Sequence, residues 1–339
     1  MRHLVLAASV GLAVVGLMAA TSPAPRAAAG QRAGAGLSAG DRTMLPRTTD
    51  GRPDLQGYWT NDTYTPLERP EALGGKAFYT EEEAAAYVQR HVDQLLGQPR
   101  DAIHYDDAIW QGENYTKEAN RRTSLIVDPS DGRIPPLTPA AAARAAARAA
   151  AGRMRGPADG VEHRSVAERC ISWGNVGPPM IPPTYNANLQ ILQTPHHVVV
   201  LHEMIHDVRI IPLDGSPHLA SGVRQQAGDS RGRWDGDTLV VETTNFTDKT
   251  NFRGPPARTR QDIFATGSMR VVERFTLVDA DSIRYQFTVE DPATWTTPWS
   301  GEVPIRRFAG PLYEYACHEG NYGLANILSA ARVQEGAPQ

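Results

Sequence analysis

From Cys170 onward the chain is cut into short β-branched and aromatic runs by glycine, proline, asparagine and aspartate. This punctuation most limits what it can fold into. Residues 186–194, 197–203 and 205–213 read as a meander of three strands, and 238–246 as a strand entered through a turn at 233–237. Residues 269–278 and 282–290, around Asp279-Ala280-Asp281, read as a hairpin, and 301–308 and 312–317 as two further strands. Earlier, 54–60 and 122–128 carry the same texture. About ten strands with close-set turn signals and few helices describe an antiparallel barrel or sandwich, not a parallel α/β sheet. The barrel is preferred because some strands alternate polar and apolar residues. Asn186, Asn188 and Gln190 alternate with Tyr185, Ala187 and Leu189, and Arg284, Gln286, Thr288 and Glu290 alternate with Ile283, Tyr285, Phe287 and Val289. Such strands suit a layer with one face toward a cavity, as they also suit a layer with one face in water.

Two helices interrupt the pattern. Thr80 and Glu83 form a capping box opening a helix through Leu96, stopped by Gly97 and Pro99. Thr138-Pro139 starts an alanine-rich helix with Arg144 and Arg148 on one face. At the N-terminus, Met1-Arg2-His3, the uncharged Leu4–Ala20 stretch and the small residues beyond it read as a signal peptide over 1–29, with an uncleaved anchor as the competing reading. A flexible linker over 30–50 follows, then a single barrel domain over 51–333 with a helical excursion at about 80–160. The expected location is periplasmic or secreted, with no stable membrane insertion once the leader is gone.

The net charge of −4 becomes −6 when Arg2 and Arg26 leave with the leader, and no basic run offsets it. That excludes nucleic acid and anionic membranes as expected partners. Oligomeric state is not legible. The only cysteines, Cys170 and Cys317, are expected to form a disulfide in an exported chain.

His202-Glu203-Met204-Ile205-His206 spells H-E-x-x-H, which on a helix would place two imidazoles on one face for zinc. Its flanks are Val198-Val199-Val200-Leu201 and Val208-Arg209-Ile210-Ile211-Pro212, which favour extended backbone. No third ligand lies at a recognisable offset. A strand reading is therefore preferred, with no metal or other cofactor expected, and a zinc hydrolase is the alternative.

The run from Gly228 to Phe246, with Ile211-Pro212-Leu213-Asp214-Gly215 and Glu314-Tyr315-Ala316-Cys317-His318-Glu319-Gly320-Asn321, resembles a group of uncharacterised secreted bacterial proteins. Over roughly residues 50–333 the resemblance implies an exported, β-rich, lipocalin-like barrel, and it carries over no catalytic residue, substrate or cofactor.

Three local clusters could carry chemistry. Glu203, His206, Asp207 and Arg209 concentrate titratable groups among apolar neighbours, a setting that moves a base toward working pH. His318, Glu319 and Asn321 follow a cysteine and flank a glycine, a rigid mount for acid–base side chains. Arg231, within Asp229–Arg233, could meet a carboxylate or phosphate. The plain alternatives are, for the first, a hairpin tip with solvated charges or an Asp–Arg pair bracing the turn; for the second, a strand exit whose Asn and Gly satisfy turn geometry; and for the third, the preferred reading, exposed hairpin-loop charges. Trp295 and Trp299 could stack on a ring at a barrel mouth or pack under a loop. The expectation is a barrel handling an apolar or aromatic small molecule. Asn186, Asn188, Gln190, Arg209, Arg231, Tyr285 and Asn321 would contact it. If there is turnover, it is cofactor-free elimination, isomerisation or hydration, of lyase or isomerase type, by Glu203, His206, Asp207, His318 and Glu319. A non-catalytic ligand-binding protein is the alternative.

Overall fold

The computed structural model describes residues 45–173, apart from 97–120, 155 and 157; residues 176–249, apart from 184; and residues 266–336. The expected leader and most of the expected linker lie outside the described residues.

Ten strands form one antiparallel sheet: β1 (Gly57–Thr60), β2 (Ile126–Asp128), β3 (Asn188–Gln193), β4 (His197–His202), β5 (Val208–Pro212), β6 (Asp229–Asp235), β7 (Thr238–Thr244), β8 (Arg270–Asp279), β9 (Ser282–Glu290) and β10 (Trp299–Arg307). Their order is β5-β4-β3-β1-β10-β9-β8-β7-β6, with β2 added on β10. The two ends of this path meet. A Cβ built on Gly232 of β6 would lie 2.7 Å from Leu213 Cδ2 and 2.8 Å from Ile211 Cγ2 beside β5. The sheet is thus a nearly closed nine-strand barrel, as the strand pattern led one to expect. Three helices lie at its periphery: α1 (Glu81–Leu96), α2 (Pro139–Met154) and α3 (Tyr322–Gly336).

Side-chain alternation sorts the strands into an inner and an outer face. Val271, Phe275 and Leu277 of β8, Ile283, Tyr285, Phe287 and Val289 of β9, and Trp299, Val303 and Ile305 of β10 are buried. Their rings interlock: Phe275 and Tyr285 are 4.9 Å apart between centroids, Tyr285 and Phe287 5.9 Å, and Phe287 and Trp299 5.6 Å. Each such side chain contributes roughly 1.5–3 kcal/mol on burial. The polar set Arg284, Gln286, Thr288 and Glu290 therefore faces outward, not toward a cavity. The hairpin register pairs Leu277 with Ile283 and Phe275 with Tyr285, and one face cannot hold both sets. Trp295 and Trp299 are packed in the core at 5.7 Å, edge to face, and so do not offer rings at a mouth.

Two expected elements change places. Residues 312–317 are irregular, whereas 229–235, whose Asp-Ser-Arg-Gly-Arg run reads as hairpin-loop charges, is β6. The glycine belongs there because Ile211 and Leu213 occupy the space a side chain would take. The turn expected at 233–237 shrinks to Gly236-Asp237, with Gly236 in the left-handed region at φ +60. The capping box on α1 is present, Glu83 N donating to Thr80 Oγ1 at 3.2 Å and Thr80 N to Glu83 Oε2 at 2.8 Å. The α2 start uses Thr138, whose Oγ1 accepts from Ala141 N at 3.1 Å.

Cys170 and Cys317 are bonded, with Cα atoms 5.7 Å apart. They tie the chain before β3 to the segment after β10. For a closure of 147 residues the chain-entropy argument gives about 5 kcal/mol, before any native strain is subtracted. Replacing both cysteines by serine should lower the urea-unfolding free energy by roughly 2–5 kcal/mol while leaving the far-UV circular dichroism unchanged. A change under 0.5 kcal/mol would show that the bridge constrains nothing.

Candidate functional site

The H-E-x-x-H segment does not form a helix. Its first histidine ends β4, and Met204–His206 make a single 3-10 turn before β5 begins at Val208. Ile205 sits at φ 61, ψ 10 and His206 at φ 47, both left-handed. For a β-branched residue this costs about 1–3 kcal/mol. The compensation is burial: the Met204 and Ile205 side chains are both buried. The two imidazoles part company. His202 follows the inward parity of Val198 and Val200 and is buried, while His206 is exposed, its Nδ1 2.8 Å from the Tyr315 carbonyl oxygen. They share no helix face on which to hold one zinc.

The first cluster is split by the same turn. Glu203 is buried and takes hydrogen bonds from Asn186 Nδ2 (2.6 Å) and Asn188 Nδ2 (3.1 Å), so both asparagines brace the turn against β3. Gln190 is on the outer face, opposite Tyr58 and Leu201. Asp207 is half-buried; burial pushes its carboxyl up, and the Val208 N–H, Arg209 and His206 pull it back in part.

Arg209 enters the barrel. Its Nη1 and Nη2 donate to Glu273 Oε1 (3.0 Å) and Oε2 (2.5 Å), and Nη2 lies 3.4 Å from Ser230 Oγ. Tyr285 donates its hydroxyl hydrogen to Glu273 Oε1 (2.8 Å) and accepts from Met180 N (2.9 Å). Ser230 and Thr243 hydroxyls are 2.9 Å apart. Every one of these side chains is buried. Burial alone would lower the Arg209 guanidinium, but Glu273 holds it above its usual value. Burial, then the Glu273 charge, raises the Tyr285 phenol well above its ordinary range. His202 is lowered to about 3, first by burial and then by Arg209, and is neutral at working pH. Among the described residues, His202 Nε2, Arg209 Nε and Trp299 Nε1 are buried without a hydrogen-bond partner.

The other two clusters are elsewhere. His318 and Glu319 are exposed, and their side chains make no hydrogen bond or ion pair among the described residues. Asn321 Nδ2 reaches the Glu168 carbonyl at 3.4 Å and Cys170 Sγ at 3.6 Å. The 309–321 segment meets the β4–β5 turn where His206 Nδ1 lies against the Tyr315 carbonyl. Arg231, expected to bind an anion, is committed to Asp229 Oδ1 (2.5 Å) and to the carbonyls of Pro217 and Ser230. Asp229 also accepts from Leu219 N (2.8 Å) and lies 3.0 Å from His218 Nδ1, so this group clasps the 217–219 loop to β6.

Of the expected site residues, only Arg209 and Tyr285 come together inside the barrel. Glu273, His202, Ser230 and Thr243 complete the group; the sequence offered His202 only as a zinc ligand and Ser230 only within an anion-binding run, and did not point to Glu273 or Thr243. A signal existed: Glu273 interrupts the apolar parity of Val271, Phe275 and Leu277, and Arg209 interrupts that of Ile211, so two opposite charges stand on faces that must be buried. Comparison with known protein families, curated proteins and solved structures yields no match.

Two outcomes follow from this geometry. Arg209→Met should cost roughly 3–5 kcal/mol because Glu273 is left charged and buried, while Arg209→Met with Glu273→Leu should recover most of it, measured by urea unfolding. Equal losses in both would mean that the pair is not coupled. His202 supplies a pH dependence. Its folded pKa lies below the 6.5 of the unfolded chain, so stability is complete above that value and declines as pH falls. By about pH 4.5 the loss is roughly 2–3 kcal/mol. Asp207, shifted upward, opposes it only in a narrower range above 3.8. His202→Gln should flatten the decline; an unchanged slope would show that His202 is not the group being titrated.

Proposed function

We propose that this chain is an exported small-molecule-handling barrel protein, receiving its ligand at the end covered by the β4–β5 turn. The observation that carries the reading is the group of His202, Arg209, Glu273 and Tyr285 inside the barrel, with His202 Nε2 and Arg209 Nε left unpartnered. A barrel needing only stability would be served as well by apolar residues, because a buried ion pair seldom outperforms them. Each unsatisfied buried polar atom adds a penalty of about 1–3 kcal/mol that a ligand would relieve. The disulfide and the leader-like N-terminus support export. Among the described residues no helix is long and apolar enough to cross a membrane.

Binding without turnover is favoured over catalysis. A base at about 3 is far from the working pH that proton abstraction needs, and both Glu203 oxygens are occupied by asparagine amides. One observation favours a second reading as an acid–base enzyme. Asp207, at the turn, has a carboxyl raised by burial, as a general base for elimination, isomerisation or hydration would. That reading requires Asp207→Asn to abolish a turnover that the wild-type chain performs.

The deciding measurement is a thermal-shift and calorimetric screen with apolar and aromatic compounds, glycosides included. A true ligand at a hundredfold excess over its Kd should raise Tm by roughly 5–10 °C. His202→Phe should remove that shift. If no compound in the panel raises Tm, and native mass spectrometry of the purified chain finds no co-purified small molecule, the proposal is wrong.

A further inference from the structure

The chemical class of the ligand can be inferred from the same interior group, an inference that rests on the reading above. In the β4–β5 ladder Val200 lies opposite Arg209, so His202, two residues along on the same face, is the diagonal neighbour of Arg209. Three of the five guanidinium N–H groups of Arg209 go to Glu273 and Ser230, and Nε is its one nitrogen with no partner. A guanidinium does not deprotonate in a protein, so Nε is an obligatory donor. His202 Nε2 is the versatile member: it donates or accepts according to which ring nitrogen carries the hydrogen. The charges cancel locally, Arg209 against Glu273, while Tyr285 stays protonated and His202 neutral. Val200 and Ile211 on the adjoining interior positions, and Met204 and Ile205 at the turn, supply apolar surroundings.

We infer that this group recognises a neutral small molecule through a hydroxyl or carbonyl oxygen. That oxygen accepts from Arg209 Nε–H and pairs with His202 Nε2. A hydroxyl would donate its own hydrogen to Nε2; a carbonyl oxygen would accept from Nε2–H in the other tautomer. An ionised ligand meets no unmatched counter-charge within this group, since the Arg209 guanidinium and the Glu273 carboxylate are already matched to each other. Asp207, half-buried at the turn, adds a negative group at the rim and further disfavours anions.

The test uses the full mature chain and four matched probes at pH 7 in calorimetry: benzyl alcohol, acetophenone, benzoate and benzylammonium. Benzyl alcohol and acetophenone should each bind at least tenfold more tightly than both ions. His202→Phe should weaken the neutral probes tenfold or more, and His202→Gln, which keeps a donor and an acceptor, should retain most of the affinity. Should His202→Phe fail to fold, Arg209→Met with Glu273→Leu is the second variant, and it too should lose the neutral probes. Either ion binding as tightly as the neutral pair overturns the inference and leaves the barrel a binding protein of another chemistry. Neutral probes that bind all variants equally overturn it as well, because they then sit elsewhere. If none of the four binds while a compound of the wider screen does, the inference fails and the broader reading stands; if nothing binds in either experiment, both fall.

Discussion

Placing the charges of Arg209 and Glu273 in the interior costs several kcal/mol per ion, and one half of the barrel is arranged so that this cost is offset. The guanidinium meets the carboxylate with two nitrogens, the carboxylate takes a third hydrogen bond from Tyr285, and Tyr285 is in turn held by the backbone of Met180. Through these links β5, β8 and β9 and the proline-rich 176–183 segment are brought to one point. Because β5 and β6 are the two ends of the strand path, a side chain from β5 bonded to β8 and close to Ser230 of β6 spans the seam where the barrel closes. Arg209 thus helps to hold the first and last strands together through Ser230, while its pair with Glu273 ties β5 to β8 across the interior.

The remainder of the interior is an aromatic and aliphatic filling, and the division of labour between the two halves is visible along single strands. In β9, Ile283, Phe287 and Val289 are plain core, and Tyr285 shares their face but carries a hydroxyl to the polar group. In β8, Glu273 lies between Val271 and Phe275 on the same face. An apolar strand with one charged interruption is an unfavourable local choice that persists only when a partner is waiting across the barrel. On the outer face the charges are ordinary exposed pairs, such as Arg274 with Asp235 and Arg270 with Glu242 and Glu290, and they contribute little each.

The barrel was legible because β-propensity and turn chemistry agree locally. Asp279-Ala280-Asp281 sits at the β8–β9 hairpin where it was expected, and Val198–Leu201 is a strand despite the H-E-x-x-H that follows. β6 was not legible, since its glycine answers to β5 across the seam, a contact distant in sequence. The candidate site was read poorly for a similar reason. Residues 202–209 look like one dense cluster in the chain, but strand parity and a tight turn send His202 and Arg209 inward and His206 outward, while Glu203 is absorbed by two asparagines. Proximity in sequence overstated what could meet, and Glu273, sixty-four residues from Arg209, could not be found by it.

The left-handed pair Ile205 and His206 has a mechanical consequence. Ordinary turns are held partly by their own backbone preference, whereas this one works against it. It is held by the buried Ile205 and Met204, by backbone bonds from His206 N to the Glu203 carbonyl and from His202 N to the Asp207 carbonyl, by Glu203 on Asn186 and Asn188, and by His206 on the Tyr315 carbonyl. Once those contacts let go together, the chain relaxes toward more comfortable dihedrals. The barrel thus has a spring-loaded rim at one end, next to the only histidine it encloses among the described residues.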